Sequence, residues 1–140
     1  MTTEVRYYSR GGNTSKLAQA AAEAVGTVAK TVDDDLEQKA DLMLIGASIY
    51  AGKPDASVIT FIKRNAKNIG AIAVFSTSAS GRSSFNAIKA AAQDEGIKVL
   101  ESDFSCYGSY MFLHKKRPNE DDLKRVAAFA KARREEVEAK

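Results

Sequence analysis

The residues with the clearest chemical use form one short run, Ser9-Arg10-Gly11-Gly12-Asn13-Thr14, followed by Ser15. Two adjacent glycines let a backbone turn tightly and approach a ligand closely. A helix starting near Asn13 would aim its first N–H groups, with their partial positive charge, at whatever the loop wraps. Hydroxyls of Ser9, Thr14 and Ser15 add donors. The loop therefore suits a phosphate and needs no lysine. Other phosphate chemistries fit poorly, because neither G-x-x-x-x-G-K-[ST] nor G-x-G-x-x-G follows this strand. A phosphoacceptor domain would need carboxylates where the chain has Tyr8-Ser9 and Gly46-Ala47-Ser48. A C-x5-R phosphatase loop built on Cys106 would need arginine where Phe112 stands.

Other reactive side chains are sparse. Cys106 is the only cysteine, so no disulfide framework and no paired-thiol or zinc motif is available, and its alternation with Phe104 reads as a small buried hydrophobe. His114 stands beside Lys115, Lys116 and Arg117, which favour its neutral form, and has no carboxylate or second histidine near it in sequence. That basic run reads as a solvated loop, and Asp33-Asp34-Asp35 as a solvated turn rather than a cation site. A net charge of +3 spread over 140 residues is too weak for a nucleic-acid signature, though it favours acidic partners. No stretch approaches the roughly 18 apolar residues of a membrane span. Met1-Thr2-Thr3-Glu4 leads directly into Val5-Arg6-Tyr7-Tyr8 with no room for a signal peptide, so a cytoplasmic location is expected.

The elements that must position the loop follow from alternation of short apolar runs with helical stripes, the pattern of a parallel sheet covered by helices in a single domain, 1–140. Five strands are predicted at Glu4–Tyr8, Thr27–Val32, Leu42–Gly46, Ala71–Phe75 and Lys98–Phe104. Stripes of Leu17, Ala18, Ala21 and Val25, then Val58, Ile59, Ile62 and Ala66, then Phe85, Ile88 and Ala92 mark three helices. Gly26 and Gly96 supply left-handed stops. Asn119 and Asp122 form a capping box for a last helix whose buried stripe is Leu123, Val126, Ala127 and Ala130, with Lys131, Arg133 and Arg134 facing water. The link Asp33–Asp41 is short for a parallel crossover, and one helical turn around Asp35–Lys39 is expected to bridge it.

On these residues the chain resembles the flavodoxin family, whose phosphate loop runs T/S-x-T-G-x-T after the first strand. Ser9, Gly12 and Thr14 match, while Gly11 replaces the usual threonine. The resemblance implies a flavodoxin-like, doubly wound α/β fold with a five-stranded parallel sheet of order 2-1-3-4-5, holding FMN outside the strand ends. It also implies that Ala47, Ser48, Ile49, Tyr50, Ala51 and Gly52 hold the isoalloxazine, Gly52 presenting a carbonyl to it, and that Ser76, Thr77, Ser78 and Gly81 contact ring and ribityl chain. Tyr50 is the candidate stacking residue, with Tyr107 and Tyr110 as substitutes that more naturally pack under their own loop. Gly46-Ala47-Ser48-Ile49 with Tyr50-Ala51-Gly52 is also similar to flavodoxin-type, quinone-dependent protoporphyrinogen oxidases. Three functions stand: an FMN electron carrier between redox partner proteins, an FMN-dependent oxidoreductase acting on a quinone or porphyrinogen-like substrate with Tyr107–Arg117 as its lid, and a flavin-free binding module. The short chain, with no insertion large enough for a dedicated lid, favours the carrier.

Overall fold

A computed structural model describes residues 1–50, 52–108 and 116–139. Along the chain run β1 (Thr3–Tyr8), α1 (Asn13–Ala24), β2 (Ala29–Thr31), β3 (Leu42–Tyr50), β4 (Lys53–Pro54), α2 (Ala56–Arg64), β5 (Ala71–Ser78), α3 (Phe85–Asp94), β6 (Lys98–Val99), β7 (Phe104–Tyr107) and α4 (Glu120–Glu138). The sheet order is β2-β1-β3-β5-β6, all parallel, with β7 also parallel to β5 and β4 folded back antiparallel on β3.

The five parallel columns and their order match expectation, but the strand count does not. The predicted Lys98–Phe104 strand is two segments, β6 and β7, both paired with β5, and β4 is an addition. β3 and β5 run past their apolar stretches, through Tyr50 and Ser78. Pairing of Ala47 with Ser76 and Ser48 with Thr77 satisfies the backbone there, which side-chain polarity does not disclose.

Strict alternation splits the core into two layers. Met43, Ile45, Ala47, Ile72 and Val74 face Val58, Phe61 and Ile62 of α2 and Ile88 and Ala92 of α3. Val5, Leu42, Leu44, Ala73 and Phe75 face Leu17, Ala18 and Ala21 of α1 and Val126 and Ala130 of α4. Phe75 lies where a side chain at Gly46 would stand, so this glycine is required by packing. In α2 the buried ring is Phe61, while Ile59 is half-buried. Arg133 and Arg134 do not simply face water: the first covers the Phe129 ring and the second donates to the Val25 carbonyl at 3.3 Å.

The expected helical turn at Asp35–Lys39 is absent, and residues 32–39 cross without a helix. Side chains replace it. Asn65 Oδ1 accepts from Leu36 N at 2.9 Å and Asn65 Nδ2 donates to Asp35 Oδ1 at 3.0 Å. Buried Arg6 donates to the Asp34 carbonyl at 2.9 Å and to Glu4 at 2.8 Å. Val32, Leu36 and Ala40 complete the core beneath. The Leu36 N–H, buried in this otherwise exposed crossover, thus finds its partner at the C-terminal end of α2, as a buried backbone group requires.

Candidate functional site

A cleft of about 510 Å³ opens at the C-terminal ends of β1, β3 and β5, a size ordinary for a small-ligand site. Arg10, Gly11 and Asn13 line it from the first loop, Ser48, Ile49, Tyr50 and Gly52 from the β3 hairpin, and Thr77 and Ser78 from β5. Four further lining residues are Ala79, Ser80, Arg82 and Gly108. Gly108 is missed by sequence reading because it arrives from beyond β7. Its backbone lies so close to Asn13 that a Cβ there would meet Asn13 Nδ2 at 2.8 Å.

The first loop is built by its glycines. Gly12 sits at φ 90°, left-handed, where a side chain would be strained, and its N–H donates to Ser9 Oγ at 3.0 Å. Gly12 gives α1 no side-chain cap hydrogen bond, and no acid occupies its first turn. Gly11 is different: its backbone is not left-handed and the space where a Cβ would stand is open.

Six other predicted residues do not line the cleft. Ser9 and Gly12 make the turn itself. Ala47 belongs to the core beneath, and buried Ser76 accepts from Ser84 N at 3.0 Å, bracing the start of α3. Gly81, at φ 80°, packs against the Tyr107 ring. Thr14 is 0% exposed, and its Oγ1 lies 2.7 Å from Ser48 Oγ and 2.8 Å from Thr77 Oγ1. The hydroxyl expected at a phosphate is turned into the sheet. Ala51, Tyr110 and His114 lie outside the described residues.

Tyr50 is 41% exposed, and the Arg10 guanidinium lies 4.0 Å from its ring centroid. The two residues, with Ser48, also wall a smaller cleft of about 270 Å³ completed by Tyr8, Lys53 and the start of α2. There, hydrogen bonding from Ser57 and the nearby Arg10 charge hold the Asp55 carboxyl below its ordinary value. Gly52 has φ 83°, and a Cβ on it would meet Arg82 Nη1 at 3.0 Å. Among the described residues that line the larger cleft none is acidic, and the charged ones, Arg10 and Arg82, are cationic. Cys106 takes no part, since burial, with the Asp122 charge, pushes its thiol up to about 12. Among the described residues, no group of histidine, cysteine and carboxylate side chains could hold a metal, and no helix is long and apolar enough to cross a membrane.

A parallel sheet of this order, with a glycine-turned loop and a cleft at the strand ends where the order reverses, defines a doubly wound α/β protein of flavodoxin-like fold. The flavodoxin domain family model matches residues 5–106, and the chain belongs to that family. It is similar to an uncharacterized protein of Methanocaldococcus jannaschii, 28% identical over 134 residues that cover 86% of this chain and 89% of that protein. Among solved structures it resembles a flavodoxin from the domain Archaea, with a TM-score of 0.80 at 20% identity over 99% of both chains. It likewise resembles a flavodiiron core from Synechocystis, with a TM-score of 0.77 at 16% identity over 99% of this chain but 36% of that one. At such identities the structural likenesses show the fold.

Proposed function

We propose that this chain binds FMN in the larger cleft and carries electrons between redox partner proteins. The observation that carries the reading is the pairing of an uncapped α1 with a glycine-turned loop at the mouth of a flavin-sized, cation-lined cleft. The donor set fits the group. Loop amides around Gly11–Ser15 and the Arg10 guanidinium would hold the phosphate. Ser48, Thr77 and Ser78 would face the ribityl chain, and Ile49, Tyr50 and Gly52 the ring. Left-handed Gly52 would expose a backbone carbonyl there. Bound FMN would supply reversible electron transfer, and the protein's part is to hold it and set the field around it.

Arg10 and Arg82 line the cleft and Lys53 adjoins it, so the local field favours negative charge on a reduced ring. Each ~1.4 kcal/mol of such stabilisation raises a one-electron potential by about 59 mV, and the second electron is the one affected. The same cations favour acidic partner proteins, with encounter rates that fall as salt rises. The test is titration of the purified protein with FMN and with riboflavin, followed by absorbance. FMN should bind at least tenfold more tightly, as charge-assisted hydrogen bonds to the phosphate require. Equal affinities, or no binding, would overturn the reading.

A further inference from the structure

The loop between β5 and α3 carries an arginine that the rest of the fold does not use. Among the described residues, every arginine except Arg82 has a carboxylate or an aromatic ring against its guanidinium. Its backbone, by contrast, is tied down. The Arg82 carbonyl accepts from buried Ser78 Oγ at 3.0 Å, Gly81 packs on the Tyr107 ring, and Ser84 N donates to Ser76 Oγ at 3.0 Å. From this fixed base the side chain reaches the opposite lip of the cleft, where Nη1 lies 3.0 Å from the point that a Gly52 Cβ would occupy. Gly52 therefore does more than take a left-handed backbone, because its missing side chain leaves room for the guanidinium. An unpaired cation on an anchored loop, in a cleft whose described lining holds no acid, is placed for an atom of the ligand.

We infer that Arg82 is a specificity-determining residue that reads the charge of the ligand's ring, so that the cleft gains affinity when the ring becomes anionic. The inference rests on the FMN reading, which sets Gly52, and with it Arg82, at the ring and Arg10 at the phosphate. It differs from a general cationic field in assigning the discrimination to one side chain. An oxidised flavin ring is neutral and offers carbonyl and ring-nitrogen acceptors, whereas a reduced ring tends to carry negative charge on the same groups. A hydrogen bond from a guanidinium to a charged acceptor is roughly twice as strong as one to a neutral acceptor. Arg82 is exposed, so water and salt screen the gain, and about tenfold in affinity is expected rather than a hundredfold.

The experiment measures anaerobic dissociation constants of riboflavin and FMN, each oxidised and dithionite-reduced, in wild type, Arg82→Gln, Arg82→Lys and Arg10→Gln. Arg82→Gln should leave the oxidised flavins within about threefold of wild type and weaken the reduced ones about tenfold further. That tenfold change in ratio lowers the two-electron potential of the bound flavin by about 30 mV. Arg82→Lys, which keeps the charge, should stay within about threefold of wild type in both states. Arg10→Gln should weaken FMN relative to riboflavin and leave the reduced-to-oxidised ratio for riboflavin within about twofold. Equal weakening of both states by Arg82→Gln, an unchanged ratio, or an Arg82→Lys ratio equal to that of Arg82→Gln would each overturn the inference. A ratio that Arg10→Gln moves as far as Arg82→Gln does would assign the discrimination to the field of the whole cleft and overturn it too. Those results leave the FMN reading standing, whereas wild type that binds neither flavin in either state would overturn both.

Discussion

Two helix starts in this protein are built in opposite ways. At α4, Asn119 Oδ1 accepts from Asp122 N at 3.0 Å, Asp122 Oδ2 accepts from Asn119 N at 2.8 Å, and Arg117 clamps the same carboxylate at 2.6 and 2.7 Å. Asp122 is 1% exposed, and Glu120 and Asp121 complement the helix dipole. At α1, Gly12 stands in the cap position and brings no side chain, Ser9 Oγ accepts from its N–H at 3.0 Å, and the first turn has no acid. The closed end satisfies itself and stabilises the fold. The glycine-capped end forgoes only a few tenths of a kcal/mol against a capping side chain. Burial of Leu17, Ala18 and Ala21 against the sheet and α4 holds α1 in place without a cap.

The largest effect expected from this contrast is at the closed end. Asp122→Ala strands Arg117 and opens the capping box, and should cost about 3 kcal/mol in urea unfolding. FMN affinity of the folded protein should be unchanged. A loss below about 1 kcal/mol would mean that the two ends differ only in appearance.

Acid should remove part of the same contribution. Burial pushes the Asp122 carboxyl up, but hydrogen bonds and charge from Arg117, with the Asn119 N–H, outweigh it and leave it below its ordinary 3.8. A carboxyl lowered on folding contributes stability above its unfolded value, and that contribution is lost as pH falls through the folded one. Wild type should therefore lose stability below about pH 4 more steeply than Asp122→Asn, measured by denaturant midpoints across pH 2–6. Parallel curves would remove Asp122 from the acid response.

At the open end the two glycines should separate. Gly12→Ala forces a side chain into a left-handed backbone and should cost about 1 kcal/mol together with FMN affinity. Gly11→Ala, entering open space without a positive φ, should stay within about 0.5 kcal/mol of wild type. Gly11→Thr should then tighten FMN a fewfold without tightening riboflavin if, as proposed, this loop holds the phosphate, because it adds a hydroxyl there. Equal behaviour of the two alanine variants would show that the loop is not turned at Gly12.

The smallest readout is an absence. Near neutral pH a thiol raised to about 12 holds almost no thiolate, so native Cys106 should resist iodoacetamide at pH 8 and react only on unfolding. Rapid labelling of the folded protein would show that the β7–α4 contact opens.

What sequence alone determined was the periodic part of the molecule. Alternation in Val5, Leu42–Ala47 and Ala71–Phe75 assigns residues to two faces, and the stripes of α1 and α4 supply covers, because burial of apolar groups depends on spacing that any reader of the chain can count. The capping box at Asn119 and the glycine stops at Gly26 and Gly96 were legible for the same reason, being local. Tertiary structure alone decided which way the polar groups point. Ser48 and Thr77 look like loop residues until the pairing of β3 with β5 makes them strand, and the buried Thr14 hydroxyl has those two hydroxyls, 34 and 63 residues away, as its partners. Arg10 over Tyr50, Asn65 in place of a crossover helix, and Gly108 at the cleft rim share that character. A hydroxyl, amide or guanidinium carries its bonding capacity in its type, but its partner is set by which distant strand or loop arrives beside it, and burial then makes that pairing obligatory.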